Sequence, residues 1–186
     1  MRVISGLYKG RKLISSKGYK TRPTTDRVKE GMFSSLISIE QSFSNKNILD
    51  MYAGSGALGI EALSRGAKFC TFFDISKIAL NNVSYNLNSL NISKNSYILH
   101  CCNIDNIRDW SLYINDKLDV VFLDPPYATS AYTLQQNLEN LKPHLNRDAI
   151  IVYEHDKLNS CLSEASYNIV SKKTYGQTII DFYEIK

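Results

Sequence analysis

DMYAGSGALGIEALSRGA, residues 50–67, decides how the rest of the chain is read. Gly54, Gly56 and Gly59 fit the spacing G-x-G-x-x-G, in which glycines let a strand turn tightly into a helix and bring backbone close to a nucleotide-like ligand. The apolar run at 47–51 predicts a strand. Leu58, Ala62 and Leu63 predict the following helix, and Gly66 stands at a C-cap position. Strand, glycine turn and helix in that order make the opening unit of an α/β fold.

The pattern continues outward from it. Residues 69–73 predict a second strand that ends on Asp74, and Ser76 can cap a helix whose Ala79, Val83, Leu87 and Leu90 share one face. A third strand is expected at 97–101. Residues 118–123 contain the continuous run Val120-Val121-Phe122, which marks a central strand buried on both faces. It leads directly into Asp124-Pro125-Pro126-Tyr127. A helix around 132–141 and a strand at 149–153 follow, and 167–174 with 178–185 suit an antiparallel hairpin around Tyr175-Gly176-Gln177. The expected fold class is α/β: a Rossmann-like sheet, mostly parallel with an antiparallel C-terminal hairpin, covered by helices on both faces.

The front of the chain does not keep this rhythm. Short β-like pieces at 2–5 and 11–14 precede a helix with two i,i+4 rows, Val28, Met32, Leu36 and Phe33, Ile37, with a threonine available as N-cap. The reading is a small β-hairpin and helix extension over residues 1–46 ahead of a domain at 47–186. Charge divides at the same place. Residues 1–46 carry ten lysines and arginines against three acids, a net +7, while residues 47–186 carry a net −3. A basic segment on a slightly acidic body points to an anionic macromolecule, with RNA or DNA the usual candidates.

A chain of 186 residues with 44% hydrophobic and 22% charged residues fits one compact globular body. No apolar run approaches the length of a membrane span, and the first residues lack a signal peptide's apolar stretch, so a soluble cytoplasmic monomer is expected. Cys70, Cys101, Cys102 and Cys161 form no C-x-x-C pair and no metal-ligand spacing with His100, His144 or His155. They read as reduced, mostly buried thiols, and no metal is expected.

Asp50 bears on which ligand the glycine loop holds. A dinucleotide would bring its pyrophosphate to the helix N-terminus, where an aspartate at the strand end would repel it. S-adenosylmethionine carries no phosphate. Its ammonium and sulfonium make the same aspartate an attractive partner. Asp74, twenty residues after Gly54, has the offset of an acid that accepts hydrogen bonds from ribose hydroxyls.

Asp124-Pro125-Pro126-Tyr127 supplies the second half of the chemistry. Two prolines remove two N–H donors, so with the Asp124 carboxylate they leave acceptors only, a match for an exocyclic NH₂. Acceptors on both amine protons can aim the nitrogen lone pair at a methyl group, and Asp124 can take the proton released. Tyr127 can stack on a base that is single-stranded or flipped out.

These stretches carry a resemblance. RPTTDRVKEGMFSSL (22–36), LDMYAGSGALGIEALSRGA (49–67), FFDISKIALNN (72–82) and VFLDPPY (121–127) are together similar to the bacterial 16S ribosomal RNA guanine-N2 methyltransferases of the RsmD type, class I S-adenosylmethionine-dependent enzymes. The resemblance implies methyl transfer to the N2 amine of one guanine in 16S rRNA, within an assembled or assembling small ribosomal subunit. It implies a cofactor site from Asp50, Tyr52, Ala53, Gly54, Ser55, Gly56, Asp74, Ile75, Asn103, Ile104 and Asp124, with Asn103 near the adenine and Asp105 as the alternative. Asp124, Pro125, Pro126 and Tyr127 would be catalytic, and Lys9, Arg11, Lys12, Arg22, Thr25 and Arg27 would contact RNA. The pocket residues alone also suit an adenine-N6 methylase of DNA or RNA. A non-catalytic RNA-binding assembly factor with this fold and a NAD-dependent oxidoreductase are the other readings.

Overall fold

The computed structural model describes residues 1–15, 25–126, 129–157, 162–163 and 166–186. Seven strands form one sheet: β1 (Asn47–Asp50), β2 (Phe69–Asp74), β3 (Tyr97–Cys101), β4 (Leu118–Leu123), β5 (Leu145–Asp156), β6 (Tyr167–Tyr175) and β7 (Thr178–Ile185). Their order is β3-β2-β1-β4-β5-β7-β6. The first five are parallel, and β7 enters antiparallel between β5 and β6. The chain moves outward from β1 through β2 to β3 and then returns to the other side of β1 as β4. That reversal is a topological switch point, and the crevice past the carboxyl ends of β1 and β4 is where such sheets bind ligands.

Strand periodicity divides the core into two layers. Ile48, Cys70, Phe72, Val120, Phe122, Ile150 and Val152 face one side, beneath α2 (Ala57–Ser64) and α3 (Lys77–Ser89). Leu49, Met51, Phe73, Val121, Leu123, Ile151 and Tyr153 face the other, against Trp110 and α4 (Ala131–Leu141) through Leu134, Leu138 and Leu141. Both faces are buried, which is why the central strands read as unbroken apolar runs.

The N-terminal segment and α1 (Asp26–Glu40) join the first layer through Val3, Leu13, Val28, Met32, Phe33 and Leu36. Their pairing as strands is short, a single antiparallel bridge between Arg2 and Lys12. Much of the anchoring comes from Glu61 on α2. Its carboxylate accepts from the N–H groups of Ile4 at 2.7 Å and Ser5 at 2.9 Å and pairs with Lys29 and Arg65. The Lys29 ammonium is buried there and donates to the Arg2 carbonyl. Burial lowers its pKa, with the Glu61 charge opposing. Breaking such a pair would leave an uncompensated buried charge.

Two expectations need adjustment. The fifth strand runs from 145 to 156 rather than 149–153, because its antiparallel register with β7 continues to Asp156 opposite Thr178. Of the cysteines, Cys70 is buried, but Cys101 is exposed and Cys102 half-buried at the end of the edge strand β3; Cys161 lies outside the described residues. Among the described residues no helix is long and apolar enough to cross a membrane.

Candidate active site

A cleft of about 510 Å³ opens where the switch point predicts, a size that suits a nucleoside-like ligand. Its floor is made by strand ends. Asp50 pairs with Phe72 and Phe122, and Leu123 pairs with Tyr153, so Asp74, Asp124 and Glu154 project on the same face as Asp50. Asp105 and Asp156 add two more acids to the lining, and no lysine or arginine is among the described residues there. A pyrophosphate would meet six carboxylates and, among the described residues, no lysine or arginine. A sulfonium and an ammonium meet complementary charge.

The glycine loop is shaped by those acids as well as by its glycines. Gly56 begins α2 with φ 77°, a left-handed conformation that disfavours side chains, and a Cβ there would lie 2.9 Å from Val83 Cγ1. At Gly59 a Cβ would fall 2.3 Å from Phe72 Cε1, so glycine lets α2 lie directly on β2. Asp50 Oδ2 accepts from the Gly59 N–H at 3.0 Å, and Asp74 accepts from the N–H groups of Gly54 at 2.8 Å and Ser76 at 2.7 Å.

Asp50 therefore sits beneath the loop rather than at its open mouth. It is 2% exposed. Burial pushes its pKa up to about 7, the Gly59 N–H pulls it down and the Asp74 charge raises it further. A cation arriving in the cleft would favour its ionised form. Asp74 is half-buried, and each of its oxygens keeps a lone pair for a hydroxyl after serving the backbone.

Tyr52, Ala53, Ser55, Ile75 and Ile104 all line the cleft, Ile75 with 70% of its surface exposed. The Tyr52 hydroxyl is buried and burial raises its pKa. Asn103 and Asp105 both reach the lining, but each is partly committed. The Asn103 amide oxygen accepts from the Asp105 N–H at 3.0 Å, and Asn137 Nδ2 donates to the Asp105 carboxylate at 2.8 Å.

On the other half, Asp124, Pro125 and Pro126 line the cleft after β4. The Pro126 carbonyl accepts from the Thr129 N–H at 2.8 Å, so one of its lone pairs is committed. Asp124 and the Pro125 carbonyl are the further acceptors of this segment. The Asp124 carboxyl opens on the cleft. Its protein surroundings, then the negative charges of Glu154 and Asp50, raise its pKa well above the usual carboxylate range. Tyr127 lies outside the described residues.

The residues expected to meet RNA are not gathered in this cleft. Lys9, Arg11, Lys12 and Arg27 are exposed elsewhere on the surface, with Arg11 donating to the Ser89 carbonyl at 2.9 Å. Thr25 caps α1, its hydroxyl accepting from the Val28 N–H, and Arg22 lies outside the described residues. Part of the basic charge at 1–46 is also spent internally: Lys29 on Glu61, Lys46 on Glu40 and Asp119, and Arg2 on Asp26. The cleft also recruits residues that sequence reading did not single out: Met1, whose Sδ accepts from the Ser55 hydroxyl at 3.3 Å, together with Ser15, Glu154, His155, Asp156, Gln177 and Thr178. For Glu154 a signal existed, since β1, β2 and β4 each deliver an acid at or just past the carboxyl end.

Comparison with known proteins agrees with this geometry. Residues 1–184 match the family model described as Conserved hypothetical protein 95. The chain is 35% identical to the ribosomal RNA small subunit methyltransferase D of Haemophilus influenzae, over 99% of this chain and 93% of that protein. It is 30% identical to the protein of the same name from Escherichia coli, over 99% and 89%. Among solved structures, an Escherichia coli chain provisionally named methyltransferase yhhF superimposes with a TM-score of 0.81 at 28% identity, covering 100% of this chain and 98% of that one.

Proposed function

The chain belongs to the Conserved hypothetical protein 95 family, the RsmD-type methyltransferases, and on that premise we propose that it methylates the exocyclic N2 amine of a guanine in the 16S rRNA of the small ribosomal subunit, with S-adenosylmethionine as donor. The observation that carries this reading is the join of two structures at one cleft: an acid-lined glycine loop with no lysine or arginine among the described residues, and an acceptor-only Asp124-Pro125 turn.

When bound, S-adenosylmethionine supplies a methyl group on a cationic sulfur. Asp50, Tyr52, Ala53, Gly54, Ser55 and Gly56 would surround its amino-acid end, Asp74 its ribose, and Ile75, Asn103 and Ile104 its base. The Asp124 carboxylate and the Pro125 carbonyl accept the two protons of the guanine amine and hold its nitrogen lone pair toward the methyl group. Orientation of this kind supplies much of the rate, because the amine is delocalised into the ring and attacks poorly unless aimed. As the N–C bond forms and the methyl–sulfur bond breaks to leave a neutral thioether, positive charge would develop on the amine, and Asp124 would stabilise it and accept the proton given up. Tyr127 would stack on the base.

Residues 1–46 form the RNA-contacting part and 47–186 the part that transfers the methyl group. Lys9, Arg11, Lys12, Arg22 and Arg27 give affinity through phosphates without reading sequence, and Thr25 holds the helix that presents Arg27. Assay with labelled S-adenosylmethionine on unmodified small-subunit particles, naked rRNA and duplex DNA, followed by nucleoside mass spectrometry, tests the reading. N2-methylguanosine in rRNA is the expected product. Label in N6-methyladenine, or in DNA alone, would overturn it.

A further inference from the structure

Asp124 and the Pro125 carbonyl explain how an aromatic amine is held, but they would hold the N6 amine of adenine as readily as the N2 amine of guanine. The bases differ at the neighbouring ring nitrogen. In guanine N1 carries a hydrogen and donates beside the amine, whereas in adenine N1 is an acceptor.

Glu154 stands where that nitrogen has to be read. Tyr153 is the register partner of Leu123, so the next residue along β5 lies beside Asp124 at the end of β4, with both carboxyls on the face that floors the cleft. Glu154 is half-buried and the Asp124 carboxyl opens on the same cleft. A base whose amine is held at Asp124 and Pro125 thus presents its adjacent edge to a second carboxylate. Two neighbouring donors match two neighbouring acceptors, and an adenine would set its N1 lone pair against the Glu154 charge.

We propose that Glu154 is the specificity-determining residue of this site, accepting the N1–H of guanine while Asp124 and the Pro125 carbonyl hold the N2 amine. The assignment rests on the guanine-N2 reading above and adds the reason this cleft would reject adenine. The negative charges of Asp124, Glu154 and Asp50 oppose one another in the cleft. A bound cation and two base donors would relieve that opposition, so the acids disfavour ligands that bring acceptors.

The test uses 2-aminopurine, which keeps the 2-amino group but has an unprotonated N1. Small-subunit particles are reconstituted on rRNA carrying guanine or 2-aminopurine at the nucleotide that the wild-type protein methylates. Transfer to each is measured for wild type and Glu154→Gln. Wild type should prefer guanine by roughly 100-fold, the loss expected when a hydrogen bond to a charged acceptor cannot form. Glu154→Gln, whose amide can donate to an unprotonated N1, should lower that preference to about tenfold or less. A general loss of packing would slow both substrates and leave their ratio unchanged. Equal ratios in the two proteins, or no preference in wild type, would overturn the role of Glu154 alone. Failure of wild type to form any N2-methylguanosine would overturn the parent reading and this assignment with it.

Discussion

The two halves of the cleft use the same side chain differently. At the ends of β1 and β2, Asp50 and Asp74 accept hydrogen bonds from Gly59, Gly54 and Ser76, so these acids shape the loop before any ligand arrives. At the ends of β4 and β5, Asp124 follows a strand into a double proline that supplies no donor, and among the described residues no hydrogen bond involves its carboxyl. One half is bound to its own backbone and holds a position. The other leaves the Asp124 carboxyl open on the cleft. On the proposed function, preorganised binding and reactive chemistry fall to neighbouring strands of one sheet.

The largest expected break in that comparison is Asp124→Ala. Single-turnover methyl transfer should fall about 10³-fold, the loss expected when a group that both orients the amine and stabilises its developing charge is removed. Gly59→Ala attacks the other half. Its Cβ would meet Phe72 and the Cys70 sulfur, forcing α2 away from β2 at a cost of about 1–3 kcal/mol. Denaturant unfolding should report that loss, and cofactor affinity should weaken with it.

A smaller effect comes from the titration of Asp50. Its folded pKa of about 7 lies above the ordinary 3.8, so between those values the folded protein keeps a proton that the unfolded chain releases, and this group lowers stability as pH rises across that window. Cation binding acts oppositely on the same carboxyl. Affinity for S-adenosylmethionine should rise about tenfold from pH 6 to 8 through Asp50, and calorimetry on Asp50→Asn should show a flatter profile. The smallest change is expected from Lys12→Ala, outside the cleft. It should lower the salt dependence of RNA binding by about one unit of slope and leave methyl transfer at saturating RNA unchanged.

Much of this division was legible before the fold was seen. The glycine spacing, Asp74 at its offset and the apolar run ending in Asp124-Pro125-Pro126 are local signals, and of them Gly54, Asp74, Asp124, Pro125 and Pro126 line the cleft while Gly56 and Gly59 shape the loop beneath it. Signals that depend on distant partners were harder to read. Glu154 was missed because its strand seemed to stop at Tyr153, and only pairing with β7 carries it to Asp156. Lys29 counts toward the basic charge of residues 1–46, and only the packing of α2 shows that charge paired with Glu61. The Asn103 amide, read as an adenine contact, gives its oxygen to the Asp105 N–H, a local bond that competes with any ligand.

Titration of S-adenosylmethionine into wild-type and Asp124→Ala protein tests the separation of holding from reacting most directly. The account predicts dissociation constants within about threefold of each other while transfer in the variant is lost, because removing a group that acts mainly on the reacting amine should spare ground-state binding. A variant that loses binding and transfer together would contradict it, and would place Asp124 with Asp50 and Asp74 among the residues that hold the cofactor.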